Sequence, residues 1–295
     1  MDYSLGTGEI IALASALTWS IASLFYGIVN KKISPLAVNL LAAIPALIIY
    51  IVVLIFLGNI NDIYITDLKI LALIVAATMS TFVICGTLFI KSIRLAGVSV
   101  VAPITSTTPV FTMILAVIFF NEVITPLLIL GTLAVVAGVI ILTIQKSGDE
   151  TKRKNVRKGI FYTLIIAVIW SISPILLKYV LAYTDVTTVN TIRIIIHVIL
   201  VSIILASQKK LLSSFKIKTR DAVNITVAGG LGYFLTVILY LLSMELIGIS
   251  RSTVLSCVFP LFAFILAVTF LKEEITRFKL IGTIITVFGV ILITI

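Results

Sequence analysis

The second half of this chain repeats the first at a constant offset, and this feature constrains the fold more than any other. Residues 8–144 align without a gap to residues 159–295. The offset places tryptophans, prolines and glycines of the first copy on identical residues of the second: Trp19 on Trp170, Pro109 on Pro260, Gly131 on Gly282 and Gly138 on Gly289. The sequence therefore predicts two structurally related units that arose by duplication.

Each copy contains five apolar runs long enough to cross a lipid bilayer. The chain is 61% hydrophobic and 12% charged, whereas soluble domains contain roughly 25% charged residues. Continuous apolar runs of about 20 residues are typical of membrane helices, not of barrel strands. We predict an all-α membrane protein of ten transmembrane helices, with spans at 8–29, 36–57, 70–91, 98–119 and 126–145, then 158–180, 188–206, 221–242, 250–270 and 276–295.

Two five-helix domains are expected at 1–145 and 158–295, joined by a basic linker at 146–157. The first span is expected to stay in the mature protein, because no basic segment precedes it as in a signal peptide. The connections predicted to share one membrane face hold all but four of the 22 basic residues, the exceptions being Lys69, Lys178, Arg193 and Arg251. The positive-inside rule predicts that this face is cytoplasmic and that both termini lie outside the cell membrane.

Five spans per copy is an odd number, so the two copies must cross the bilayer in opposite senses. Such inverted repeats are typical of secondary transporters, whose substrate site lies between the copies near the midplane. Duplication to build a larger bundle is the structural alternative. No enzymatic activity is expected, because the sequence contains no soluble catalytic module. Cys85 and Cys257 lack the spacing of a metal site or a disulfide framework, so no cofactor and no metal are predicted.

The end of each copy carries the same pattern of a proline in the fourth span, a glutamate before the fifth and two glycines within it. The residues are Pro109, Glu122, Gly131 and Gly138, and then Pro260, Glu273, Gly282 and Gly289. We expect the glycine pairs to allow close helix packing. Together with the twofold five-helix plan, the pattern resembles the EamA-type branch of the drug/metabolite transporter superfamily. The resemblance implies a ten-helix basket around a central cavity and the movement of small metabolites, frequently amino acids and often outward.

Hydroxyl side chains surround the two prolines and are candidates for substrate binding. A proline within a helix frees the carbonyl group four residues earlier, here at Thr105 and Ser256. Within a membrane such a carbonyl must face protein or a wet cavity. We therefore predict that Thr105, Thr108 and Ser256 line the site. A proline kink that serves packing alone is the alternative.

Aromatic residues near the middle of the membrane form a second group of candidates. Trp19 and Trp170 are the only tryptophans, and both lie near the centres of their spans, although membrane tryptophans favour the interfaces. We predict that they line the cavity beside Ser20 and Ser171; packing between the copies is the alternative. Tyr233, near the glycine-rich start of the eighth span, is a weaker candidate.

Arg193 and His197 lie one turn apart on the seventh span, where the first copy has alanines. A charge at the bilayer centre costs roughly 2.5–3.5 kcal/mol, so Arg193 indicates anion recognition unless it extends to the interface. His197, the only histidine, is predicted to contact substrate or to couple protons; a neutral histidine bonded to a hydroxyl is the alternative. No acidic residue is predicted deep within a span. The small four-helix multidrug members of the superfamily resemble one another in a membrane-buried glutamate of the first helix, which exchanges protons for cationic drugs. The stretch around Trp19 has no such residue, which favours neutral, zwitterionic or anionic substrates.

These features predict an alternating-access carrier for small polar or amphipathic metabolites, with amino-acid-like compounds and export favoured. Its expected partners are a small-molecule substrate and the lipid bilayer, not nucleic acid. A homodimer is possible. A sugar-phosphate, nucleotide-sugar or drug carrier is the first alternative. A channel or a membrane-embedded lipid-handling protein is the second.

Overall fold

The computed structural model describes residues 6–58, 67–142, 150–271 and 277–294, and over these residues every regular element is a helix. Seven helical stretches among them are long and apolar enough to cross a bilayer. Shorter apolar helices lie at Thr108–Phe120, Pro126–Ile141 and Leu280–Thr294. The chain is therefore an all-helical, multi-pass membrane protein.

The count of ten membrane crossings stays a prediction, but each predicted span overlaps one or two of the observed helices. In chain order they are α1 (Thr7–Ile28), α2 (Pro35–Leu57), α3 (Leu68–Ala96), α4 (Val98–Thr105), α5 (Thr108–Phe120), α6 (Pro126–Leu142), α7 (Glu150–Val180), α8 (Val186–Ser207), α9 (Leu211–Ser214), α10 (Thr219–Ile247), α11 (Ile249–Ser256), α12 (Phe259–Leu271) and α13 (Arg277–Thr294). Because α7 begins at Glu150, part of the predicted linker is helical. Residues 143–149, and Glu273 with its neighbours at 272–276, lie outside the described residues.

Side chains before three of these helices cap their first turns. Ser34 before α2, Asp67 before α3 and Asp185 before α8 each accept a hydrogen bond from a first-turn N–H group, at 3.1, 2.7 and 2.8 Å. These contacts satisfy N–H groups that a helix leaves without partners at its start. They explain why the chain enters a helix at these positions.

The fourth span of each copy is divided into two helices. The break between α4 and α5 falls at residues 106–107, and the break between α11 and α12 falls at 257–258, the equivalent positions of the repeat. Pro109 and Pro260 lie in the first turns of α5 and α12. In a first turn the missing N–H of proline leaves no hydrogen bond unmade. The prolines therefore mark a new helix start, not a kink within a continuous helix.

Two π-helical segments of seven residues interrupt α3 and α10. They run from Met79 to Cys85 and from Gly230 to Thr236, and the repeat offset superimposes one on the other. Wide π turns of this kind are rare and frequently lie at functional sites. Their matched positions indicate that both copies retain the same local distortion of the helix.

The glycine pairs pack α6 against α13, which confirms their predicted role. A Cβ atom on Gly131 would lie 2.8 Å from the carbonyl oxygen of Gly289, and a Cβ on Gly138 would lie 2.8 Å from that of Gly282. Gly282 and Gly289 are the repeat equivalents of Gly131 and Gly138. Each contact therefore recurs with the copies exchanged, as a twofold rotation between them requires.

Contacts between equivalent residues mark the position of this pseudo-twofold axis. The Ser106 hydroxyl donates to the Cys257 carbonyl at 2.8 Å, and the rings of Trp19 and Trp170 lie edge to face with their centroids 6.0 Å apart. Two residues related by a twofold axis touch only if both lie near it. The helix breaks and the two tryptophans thus meet at the centre of the molecule.

Candidate functional site

A cavity of about 190 Å³ lies beside this axis, with walls from both copies. The first copy contributes side chains of α1, α3, α4 and α5, and the second contributes side chains of α7, α8, α10, α11 and α12. A protein cavity of about 150 Å³ holds benzene. The cavity is therefore of a size to hold one small organic molecule.

Seven of the ten residues predicted to bind substrate line the cavity: Trp19, Thr105, Thr108, Trp170, Arg193, Tyr233 and Ser256. The divided helices supply the three hydroxyl residues, and α1 and α7 supply the tryptophans. The structure thus brings together side chains that lie far apart in the sequence.

Ser20, Ser171 and His197 lie outside this lining. Ser20 is buried, and the Ser171 hydroxyl donates to the Val168 carbonyl of its own helix at 2.6 Å. The His197 ring stacks behind two cavity residues, at 5.6 Å from the Phe82 ring and 5.2 Å from the Tyr233 ring. Neither of its nitrogens has a hydrogen-bond partner among the described residues. His197 therefore supports the wall and does not form it.

The two tryptophan rings form part of the cavity wall, and a third ring, that of Phe89, packs against both. Phe89 lies between the two tryptophans, with its centroid 5.2 Å from that of Trp19 and 5.5 Å from that of Trp170. Aromatic pairs at such distances attract each other in tilted and edge-on arrangements. The indole Nε1 of Trp170 is buried and has no partner among the residues that the structure describes. This wall therefore combines apolar surface with one free N–H donor.

Arg193 is held within the protein and does not extend to the membrane surface, since it is only 1% exposed. Its Nη1 donates to Asn190 Oδ1 at 2.8 Å, and its guanidinium carbon lies 4.2 Å from the Phe82 ring centroid. A cation over an aromatic face is attracted by the ring electrons. Its Nε has no partner in the described part of the chain. The side chain is thus fixed at the cavity with unused hydrogen-bonding capacity.

A hydrogen-bond network connects Tyr233 of the cavity wall to α2 and α3. The Tyr233 hydroxyl donates to Asn39 Oδ1, while Asn39 Nδ2 donates to the Phe82 carbonyl and to the Thr87 hydroxyl, each at 2.9 Å. The Tyr50 hydroxyl donates to the Tyr233 carbonyl at 3.2 Å. The bonds to the carbonyls of Phe82 and Tyr233 provide partners for both π-helical segments and join α2, α3 and α10.

Sequence reasoning missed Phe82 and Thr81, which line the cavity from the first π-helical segment. Phe82 is the repeat equivalent of Tyr233, so comparison of the two copies carried a signal for it. Four further lining residues are hydrogen-bonded within the wall. Ser15 donates to the Thr236 carbonyl at 3.0 Å, and the hydroxyls of Tyr240 and Thr253 lie 2.9 Å apart. Tyr240 follows Tyr233 by seven residues and so shares its helix face, but the spacing of Ser15, Thr236 and Thr253 does not distinguish them from ordinary polar residues of a membrane helix.

The fold is that of a multi-pass membrane protein with two related copies around a central cavity. The sequence model of the EamA-like transporter family matches residues 6–144 and again residues 157–295. The chain therefore belongs to the EamA-like transporter family, which confirms the predicted resemblance. The family consists of transporters, not of enzymes.

The chain is also similar to two curated proteins and to one solved structure. An uncharacterized transporter of Archaeoglobus fulgidus is 24% identical over 286 residues, which cover 96% of each chain. An uncharacterized protein of Methanocaldococcus jannaschii is 29% identical over 142 residues, which cover 48% of this chain and 99% of that protein. A solved structure described only as a protein crystal structure superimposes with a TM-score of 0.75 at 15% identity and covers 99% of each chain. That likeness extends to the fold alone.

Proposed function

We propose that this protein is a secondary transporter that moves small polar or amphipathic metabolites by alternating access. Amino-acid-like compounds are the favoured substrates, and export is the favoured direction. The observation that carries the proposal is a central cavity lined by equivalent, irregular segments of two related copies. Interrupted helices in matched positions of the two copies are typical of transporter substrate sites.

The matched irregularities support alternating access. Each copy has a divided fourth span and a π-helical segment at the same repeat position. Because the irregular segments occupy equivalent positions, each copy can adopt the conformation of the other. This exchange would open the cavity to the two membrane faces in turn. In this mechanism the hydrogen bond between Tyr233 of α10 and Asn39, in the first part of α2, belongs to the gate on the side that the positive-inside rule assigns to the cytoplasm.

In the proposed arrangement each divided span crosses the membrane once: α4 continues into α5, and α11 continues into α12. The two inverted copies then make ten crossings. Both termini then lie outside the cell membrane, and the basic connections are cytoplasmic. A reporter that is active only in the cytoplasm is expected to be inactive when fused after Ile295 and active when inserted after Lys146. The reverse pattern would show that the assigned orientation is wrong.

Transport itself is tested by counterflow with the purified protein in liposomes. We expect saturable uptake of labelled amino acids or small carboxylates that is stimulated when the liposomes are loaded with the same unlabelled compound. Empty liposomes are the control. Uptake without counterflow would indicate a channel, and no uptake across a broad metabolite panel would contradict transport of these classes.

A sugar-phosphate carrier is the second candidate. It would need several cationic side chains around its dianionic substrate. Among the cavity residues that the structure describes, Arg193 is the single cation. This favours a substrate with no more than one compact negative group.

A further inference from the structure

We propose that Arg193 binds the carboxylate of a small organic acid with an apolar body, and that substrates of this cavity are recognised through that acidic group. A free amino group is not required. The inference rests on the proposed transport function for its biological role, but the binding event is tested without transport.

Four cavity-lining residues carry buried polar atoms that have no partner among the described residues: Arg193 Nε, Trp170 Nε1, Thr81 Oγ1 and Ser256 Oγ. The nitrogens of arginine and tryptophan side chains can only donate hydrogen bonds. A buried donor without an acceptor is costly to a folded protein. The two nitrogens require an acceptor, whereas the hydroxyls of Thr81 and Ser256 can donate or accept, so a ligand with acceptor oxygens suits this set better than one with donors alone.

The charge of the cavity points to the same ligand chemistry. No acidic side chain is among the described lining residues, and the ion pair found in the described chain joins Glu9 to Arg251 at 3.7 Å. The Arg193 guanidinium is instead held by the Asn190 amide oxygen and the Phe82 ring. These two contacts fix its orientation without neutralising its charge. A carboxylate would supply both the missing charge and the planar pair of acceptors that guanidinium groups bind well.

The rest of the cavity suits an apolar body of about the size of one ring. The rings of Trp19, Trp170, Phe82 and Tyr233 line it, and its volume of about 190 Å³ exceeds by a modest margin the roughly 150 Å³ cavity that holds benzene. The space therefore suits an aromatic or branched aliphatic group attached to a short acidic arm.

A substrate ammonium group would find no charged partner in this lining. Several lining hydroxyls are already hydrogen-bonded: Tyr240 with Thr253 at 2.9 Å, Thr236 with Thr18 at 2.8 Å, and Thr108 with the Thr105 carbonyl at 2.6 Å. The hydroxyls of Thr81 and Ser256 can accept from an α-amino group, but no carboxylate in the described lining balances its charge. The carboxylate therefore provides the main polar recognition.

The two tryptophans provide a direct readout of binding, because the chain has no others and both line the cavity. We expect hydrocinnamate to change the intrinsic fluorescence of the purified protein saturably. Hydrocinnamamide, which has the same shape but no charge, is expected to bind at least about tenfold more weakly. Phenylalanine, which differs from hydrocinnamate by an added ammonium group, is expected to bind no more tightly than hydrocinnamate.

Arg193→Gln is expected to weaken hydrocinnamate binding by about tenfold or more and to abolish the preference for acid over amide. Arg251→Gln is the matched control, since Arg251 is an arginine outside the cavity that pairs with Glu9; it should leave both properties unchanged. Thermal unfolding of each variant establishes that it is folded. If Arg193→Gln does not fold, the comparison of acid with amide in the unsubstituted protein decides the question.

Equal binding of acid and amide, a retained preference in folded Arg193→Gln, or no binding of hydrocinnamate would each overturn the inference. Counterflow separates it from the transport proposal. Selective binding without counterflow of any tested solute contradicts transport and leaves the Arg193 assignment intact. If uncharged solutes show counterflow and Arg193→Gln does not change its rate, the Arg193 assignment is contradicted and the transport proposal stands.

Discussion

Trp19→Ala is expected to remove ligand binding and to destabilise the protein by about 3 kcal/mol, because truncation of a fully buried aromatic ring costs about 3–5 kcal/mol and Trp19 is partly buried. The Trp19 ring touches Phe89 and Trp170, and a Cβ atom on Gly232 would lie 3.2 Å from it. One face of the ring borders the cavity, so the cost falls at the lower end of that range.

Thermal unfolding in detergent, with and without hydrocinnamate, measures both effects. Trp170→Ala is expected to behave similarly, because Trp170 occupies the equivalent position across the pseudo-twofold axis. Phe161→Ala is the control, since Phe161 lies on the same helix as Trp170 and is 61% exposed. If both tryptophan variants keep the full stabilisation by ligand, the cavity is not the binding site.

Gly229→Ala is expected to destabilise the protein by about 3 kcal/mol, the upper part of the range for overpacked cores. A Cβ atom on Gly229 would overlap the carbonyl group of Ala42 on α2, and its distance to the Ala42 Cα would be 2.8 Å. These are backbone atoms, so no side chain can move aside. Helices α2 and α10 would have to separate, which would disturb the contact between Asn39 and Tyr233.

Gly230→Ala is the matched control for this prediction. A Cβ on Gly230 would meet only the Ile49 Cδ1 atom, at an ordinary contact distance of 3.8 Å. Alanine is favoured over glycine in helices by roughly 0.5–1 kcal/mol, so this variant should unfold at the same temperature or slightly higher. Equal unfolding temperatures for the two variants would show that α2 and α10 do not approach as closely as described.

The membrane helices and much of the site could be predicted from the sequence. Lipid offers no hydrogen-bond partners to backbone N–H and C=O groups, so a membrane span must be a long, apolar helix. Such spans can be recognised in the sequence as long runs of apolar residues. Comparison of the copies also identified residues with unusual positions. Trp19 and Trp170 are tryptophans away from the interfaces, and Arg193 is a charge within a span; all three line the cavity.

Other features depend on contacts between helices that are distant in the sequence. The second π-helical segment begins at the glycines of the eighth span, but the first contains no glycine, and the Phe82 and Tyr233 carbonyls of the two segments accept from Asn39 and Tyr50 of α2. From the sequence, the Arg193 side chain could either extend to the membrane interface or lie inside the protein. Its contacts with Asn190 and Phe82 hold it inside. His197 shares its helix face but lies behind the wall, because Phe82 and Tyr233 stand between it and the cavity.

The repeat and the apolar spans, read from the sequence alone, determined that this is a helical membrane protein made of two related copies. Each copy faces lipid on one side and the other copy on the other side, so residues at equivalent positions of the two copies have matching roles. The tertiary structure alone decided where the copies touch, which helices break and which polar atoms stay without partners around the cavity. Those properties belong to pairs of side chains brought together across the pseudo-twofold axis, and no single span contains both members of such a pair.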